Sequence, residues 1–216
     1  MTSSFTNLAM AARFLGLRDQ PYRYRTICKQ LSEIAEAFIH EHFGTLAEGA
    51  KAPFRRALFL GTGSRFGAAR EAALKMLEMP AGRVTPICET YLGLRHGPMS
   101  YVHDDTLVVC FLSSDPTLRA YEADLLRELD QKQLGLLKLI VGEEVPRELI
   151  RENEIVLECK GLAHVGEENF AVIDVLAAQL LAFFCCLKAG LRPDSPPEDG
   201  IISRVVQPFA LYLPDS

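Results

Sequence analysis

ALFLGTGSRFGAAREAALKMLEMPAGRVTPICETYLGLRHGP, residues 57–98, decides the fold. Residues 57–60 form an apolar run of strand length, and Gly61-Thr62-Gly63-Ser64 turns the chain tightly after it. A helix-period pattern follows, with Ala68, Ala72, Leu74, Leu77 and Met79 set among charged residues, and it stops at Pro80. A second apolar run, 84–88, leads into a loop carrying Arg95-His96-Gly97-Pro98. Strand, glycine turn, helix, strand is the βαβ unit of a parallel sheet.

Outward from this unit the alternation continues. Residues 106–112 (TLVVCFL) form a continuous apolar run, as expected of a strand covered on both faces. Ser113-Ser114-Asp115-Pro116 then opens a helix, with a side-chain oxygen as cap and proline in the first turn, running to about Lys132. Residues 136–141 and 154–159 are the next two strands, and 169–189 is a long buried helix ended by Gly190 and Pro193. The tail SRVVQPFALYLP alternates weakly and reads as an edge strand or an ordered arm. Upstream, Thr2-Ser3-Ser4 offers an N-cap to an apolar helical run over 5–15. A second amphipathic helix spans 24–43, with Ile27, Leu31, Ile34, Ala37 and Phe38 on one face, and 48–53 reads as a polar loop. The expected organisation is a helical segment over residues 1–50, then one doubly wound parallel α/β domain over 51–216.

Composition narrows the class. With 216 residues, 49% of them hydrophobic, the chain can bury one ordinary core. The apolar stretch 172–187 is interrupted by Asp174 and Gln179, which suits a buried helix better than a membrane span. The opening MTSSFTNLAM lacks the basic start and apolar core of a secretory signal, so a cytoplasmic protein is expected. A formal net charge of −5 gives no general attraction to nucleic acid or anionic lipid, and no helix-turn-helix or basic stripe is visible. None of the six cysteines forms a C-x-x-C pair, and most sit in apolar runs, so buried reduced thiols are expected. His40 and His42 are two apart and face different sides of a helix, so they cannot share a metal. No metal site and no cofactor are expected.

In doubly wound sheets ligands bind at the carboxyl ends of the strands. The glycines of 61–64 permit close backbone approach, amides at a helix start favour an anion, and Ser64, Ser113 and Ser114 add donors. This is not a dinucleotide fingerprint: Phe66 stands where the third glycine would fall, Gly67 comes one place late, and Glu89 is late for the acidic residue. Lys75 and Glu78, three apart, share one helical face. They read either as an exposed ion pair or as chemistry. His96 is held in a glycine–proline loop, either as a loop histidine bonded to backbone or as a rigidly aimed imidazole. The residues by themselves indicate an anion- or sugar-phosphate-binding α/β domain.

The stretch GTGSRFGAAREAALKMLEM…ETYLGLRHGP, followed by TLVVCFLSSDP, resembles the sugar isomerase (SIS) domain. More narrowly it is similar to the second SIS half of the galactosamine-6-phosphate deaminase/isomerase group, also called tagatose-6-phosphate ketose/aldose isomerases. The opening TSSFTN and the closing SRVVQP resemble segments of the same group. The resemblance implies a flavodoxin-like five-stranded parallel sheet with helices on both faces. It also implies aldose–ketose isomerisation or amino-sugar deamination of a hexose or amino-hexose phosphate.

Residue by residue, Glu78 matches the glutamate that moves the proton between C1 and C2, and His96 the histidine that helps open the ring. That histidine often serves a neighbouring subunit's site. Lys75 matches the lysine one turn before the glutamate, and a lysine near the substrate falls at about Arg204. Gly61, Thr62, Gly63, Ser64, Arg95, Ser113 and Ser114 are the expected substrate-binding set. Such a carboxylate works as base if burial raises its pKa, and the imidazole can pass a proton to the ring oxygen. Neither step requires a metal.

Two departures stand out. The group normally carries two SIS domains, the first with a Ser/Thr-rich phosphate loop, whereas this sequence begins at a segment resembling that domain's end. The tail carries Ser203 and Pro208 where the group usually has asparagine and glycine. A homodimer is expected to replace the other half. The alternatives are half of a split enzyme, a non-catalytic sugar-phosphate-binding module, and a structural remnant that only dimerises.

Overall fold

A computed structural model describes residues 3–151, 154–194, 210 and 212. Five strands form one parallel sheet: β1 (Arg56–Leu60), β2 (Thr85–Glu89), β3 (Thr106–Phe111), β4 (Leu137–Gly142) and β5 (Ile155–Glu158), in the order β2-β1-β3-β4-β5. Leu58 lies opposite both Ile87 and Val108, so β1 is paired on both edges while β2 is an edge strand. The order reverses between β1 and β3, which puts the topological switch point at their carboxyl ends.

Among the described residues, seven α-helices surround the sheet: α1 (Ser3–Gly16), α2 (Pro21–Gly49), α3 (Ser64–Glu78), α4 (Tyr91–Leu94), α5 (Pro116–Gln131), α6 (Leu162–Val165) and α7 (Ala171–Lys188). Alternate strand residues serve two separate cores, as a side-chain period of two demands. Ala57, Phe59, Val109, Phe111 and Val141 pack under α2, α3 and α7. Leu58, Leu60, Val108, Cys110 and Ile140 pack under α4 and α5. The sheet is thus the flavodoxin-like one implied by the sequence, with helices on both faces and α1 and α2 preceding it.

Three local readings change in the structure. α2 runs past the expected end at 43 to Gly49, into the first residues of the expected polar loop, because Phe38, His42 and Leu46 prolong its buried stripe. Gly49 keeps the contact close there: a Cβ would come 2.9 Å from the tip of the Ile155 side chain, which would have to shift. His42 therefore faces inward, with its ring against Phe38 and Nε2 2.9 Å from the Glu158 carbonyl oxygen. The apolar face of α3 is also rotated from the expected one. Ala68, Ala69, Ala72, Ala73 and Met76 are buried, whereas Leu74 and Leu77 are 42% and 46% exposed. Small side chains win the inner face because α3 packs on α7, itself lined there by Ala177 and Ala178.

The third change lies after β2, where the expected loop contains α4. Thr90 caps it by accepting from the Gly93 amide at 2.9 Å. The segment 167–188 is long and apolar enough, by length and composition, to cross a bilayer, yet α7 packs as the central core helix against α3 and α2. Cys110, Cys159, Cys185 and Cys186 are buried and all six cysteines are free, as expected. The tail lies outside the described residues except for Ala210 and Tyr212, both exposed.

Candidate functional site

The residues expected to form one site fall into three places. The first is the end of α3. The Lys75 ammonium lies 2.6 Å from the Glu78 carboxylate and 3.3 Å from that of Glu71. The Lys75 side chain is only 7% exposed, against 25% for Glu78. Burial works against the ammonium, but Glu78 and Glu71 together hold its pKa above the ordinary lysine value. A protonated lysine therefore lies under a carboxylate that reaches solvent, flanked by exposed Leu74 and Leu77. α3 ends just beyond: Gly82 and Ala81 donate backbone hydrogen bonds to the carbonyls of Leu77 and Glu78.

The second place is the loop of His96, on the other face of the sheet. Tyr91 and Leu94 of α4 belong to the core under α4 and α5, not to the core under α3. The loop is braced. Arg95 Nε pairs with Glu128 at 2.9 Å, the Ser100 hydroxyl donates to the Gly97 carbonyl at 2.8 Å, and Gly97 takes a φ of 132°. His96 itself is exposed, and among the described residues none hydrogen-bonds its imidazole. Glu78 and His96 are thus carried by elements, α3 and the turn after α4, that pack on opposite faces of the sheet.

The third place is the carboxyl end of the sheet, where 61–64, Ser113 and Ser114 lie. Glu78 stands 14 residues along α3 from Ser64, about 20 Å away at the helical rise. One sugar phosphate in one chain cannot touch both. This corrects the expectation of a single site: a helix that starts at a strand's carboxyl end returns its own last turn to the amino end.

At the switch point the sequence reading missed a buried network. Arg65, second residue of α3, is fully buried. Its Nε and Nη2 donate to Asp174 of α7 at 2.8 and 2.6 Å, and its guanidinium also donates to the Leu112 and Val141 carbonyls. Gly61 makes this possible, because a Cβ there would lie 2.4 Å from the Arg65 carbonyl oxygen. Beside it Glu122 is buried, accepting from the Ser113 amide at 2.7 Å. Burial pushes the Glu122 carboxyl up to about 7, against the opposing pull of the Thr62 hydroxyl, the Ser113 amide and Arg65. The Ser113 hydroxyl donates to Glu167. The one available signal was Asp174, a lone charge in an apolar helix, which needs a buried partner.

The chain's own carboxylates take the amides of most strand-end loops. Glu89 accepts from Thr90 after β2, Glu122 from Ser113 after β3, Glu158 from Val145 after β4, and Glu143 from Ala163 after β5. Among the described residues, the loop after β1 is the one strand-end loop with no carboxylate on its amides. Gly63 and Ser64 there are exposed, and α3 has no side-chain cap. Ser114 is half-buried, and Arg204 lies outside the described residues. Among the described residues, no group of three or more His, Cys, Asp or Glu side chains is placed to hold a metal.

The five-stranded parallel sheet of this order, taken with the relatives that follow, places the chain in a class: it is a sugar isomerase (SIS) type domain. Its relatives narrow this further. It is 34% identical over 214 residues to the D-galactosamine-6-phosphate deaminase AgaS of Escherichia coli, covering 98% of this chain and 54% of that protein. It is 33% identical over 216 residues to a putative D-galactosamine-6-phosphate deaminase AgaS of Streptomyces coelicolor, again covering 54% of it. Among solved structures, tagatose-6-phosphate ketose/aldose isomerase from Escherichia coli superposes with a TM-score of 0.79 at 31% identity, over 96% of this chain and 55% of that one. The chain spans about half the length of these relatives. No family model matches it.

Proposed function

We propose that the chain acts on a hexose or amino-hexose 6-phosphate by enolisation, in an assembly where a second SIS domain completes the site. The observation that carries this is the Lys75–Glu78 pair at the solvent-facing end of α3, with the imidazole of His96 on the opposite face of the same edge strand. Such a base and acid meet across an interface and not within one chain. Exposed Leu74 and Leu77 beside Glu78 suit that interface. A second copy is the simplest partner, giving a homodimer in which Glu78 of one chain faces His96 of the other. The names of the relatives, a galactosamine-6-phosphate deaminase and a tagatose-6-phosphate isomerase, supply the substrate class.

In this reading His96 transfers a proton to the ring oxygen and opens the sugar. Glu78 then takes the proton alpha to the exposed carbonyl and returns it to the neighbouring carbon, so an aldose and a ketose interchange with no net proton change. With an amino sugar the same transfer yields an imine, which water hydrolyses to ketose and ammonia. The protonated Lys75 steadies the developing enediolate. The setting is cytoplasmic.

The test combines light scattering with solvent deuterium exchange on galactosamine-, glucosamine-, tagatose- and fructose-6-phosphates, and thermal shift on the same panel. A selective rise in melting temperature with exchange that Glu78→Gln abolishes, while the rise persists, supports an enzyme. Stabilisation without exchange favours a binding module. A chain that stays monomeric over a wide concentration range defeats the homodimer.

A further inference from the structure

We propose that Glu71 is a positioning residue for the Lys75–Glu78 pair, holding the ammonium between two carboxylates so that Glu78 is never matched one-to-one by a cation. This rests on the reading of Glu78 as the proton shuttle. Glu71, Lys75 and Glu78 occupy positions i, i+4 and i+7 of α3, one continuous stripe. Lys75 lies between them, 2.6 Å from Glu78 and 3.3 Å from Glu71. The Glu71 side chain is 17% exposed, so its contact is sheltered from solvent. Helical spacing alone makes surface pairs of little consequence, but a lysine 7% exposed and bracketed from both sides has one permitted course for its stem.

The charges acting on Lys75 are those of Glu78 and Glu71, in that order. Charged groups on neighbouring elements are engaged elsewhere. Arg56 of β1 pairs with Asp105, and Glu89 of β2 accepts from Thr90. Asp174 of α7 is held by Arg65, and Lys188 donates to the Lys51 and Ala52 carbonyls. Arg83 donates to the Ala189 carbonyl. The trio therefore carries one net negative charge with the ammonium divided within it. Without Glu71 the ammonium belongs wholly to Glu78, and a carboxylate matched one-to-one by a cation is a weaker base. Nothing in the E-A-A-L-K-M-L-E spacing distinguishes this from an exposed ladder of ion pairs; the burial of Lys75 does.

The experiment compares the wild-type chain with Glu71→Gln, which keeps shape and an acceptor oxygen but removes the charge. Glu33→Gln on α2 serves as a remote charge control. NMR titration of the Lys75 side chain is expected to show its midpoint lower by about half a pH unit in Glu71→Gln, the scale of a partly sheltered ion pair. The control is expected to show no change. In turnover, kcat is expected to be several-fold lower with KM unchanged. A Lys75 midpoint that does not move overturns the proposal, as does a midpoint that moves with an unaltered kcat. If the wild-type chain shows no proton exchange with any sugar phosphate, the catalytic reading fails, and the Lys75 titration still decides whether Glu71 divides the ammonium.

Discussion

Replacing Asp174 with asparagine leaves the Arg65 guanidinium buried without its counter-ion. In the folded chain both side chains have no exposure, and two of the guanidinium's bonds go to the carboxylate. The carbonyls of Leu112 and Val141 remain as acceptors, but neither carries charge. Breaking a buried pair from one side costs about 3–5 kcal/mol. Set against a typical stability of about 5–15 kcal/mol, that is a large fraction of what holds the domain folded. For a chain of this length the melting temperature should fall by about 6–20 °C.

The companion variant removes both charges, Arg65→Met with Asp174→Leu. No buried charge is then left unpaired, so the double variant should recover most of the loss. Urea denaturation followed by circular dichroism measures wild type, the single variant and the double variant side by side. An Asp174→Asn chain within about 1 kcal/mol of wild type would refute the reasoning. So would a double variant no better than the single one, because the stability would then lie in packing and not in charge matching.

Three further outcomes follow from the same end of the sheet and from the second helix. The Glu122 carboxyl, raised to about 7 in the fold from an ordinary value near 4.5, contributes stability that is complete below about pH 4.5 and is lost as pH rises through 7. Urea titrations at pH 5 and 7.5 should therefore show wild type losing up to about 3 kcal/mol relative to Glu122→Gln, and parallel curves would contradict the burial argument. Gly61→Ala puts a Cβ 2.4 Å from a backbone oxygen that cannot swing away, so a loss of about 1–3 kcal/mol is expected by the same assay. Leu46→Ala, at a fully buried position beyond the expected end of the helix over 24–43, should cost about 2–5 kcal/mol. A neutral result there would mean the last turn of α2 is not part of the core.

The strand–turn–helix–strand reading of 57–98 and the apolar run of 106–112 carried the fold class, because fully buried parallel strands must be apolar on both faces and their order along the chain is local information. Lys75 and Glu78 were likewise legible as neighbours, since helical spacing alone puts them on one face. Three things waited for the tertiary structure. The buried side of α3 was misread because leucines outrank alanines in hydrophobicity, yet close contact with α7 selects small side chains. Arg65 and Asp174 are separated by 109 residues, and no local pattern pairs them. The substrate-binding set split into three places because a crossover helix carries its two ends to opposite edges of the sheet, while the sheet itself stands between Glu78 and His96. Spacing along a chain determines which residues share a helix face; only packing decides which faces meet.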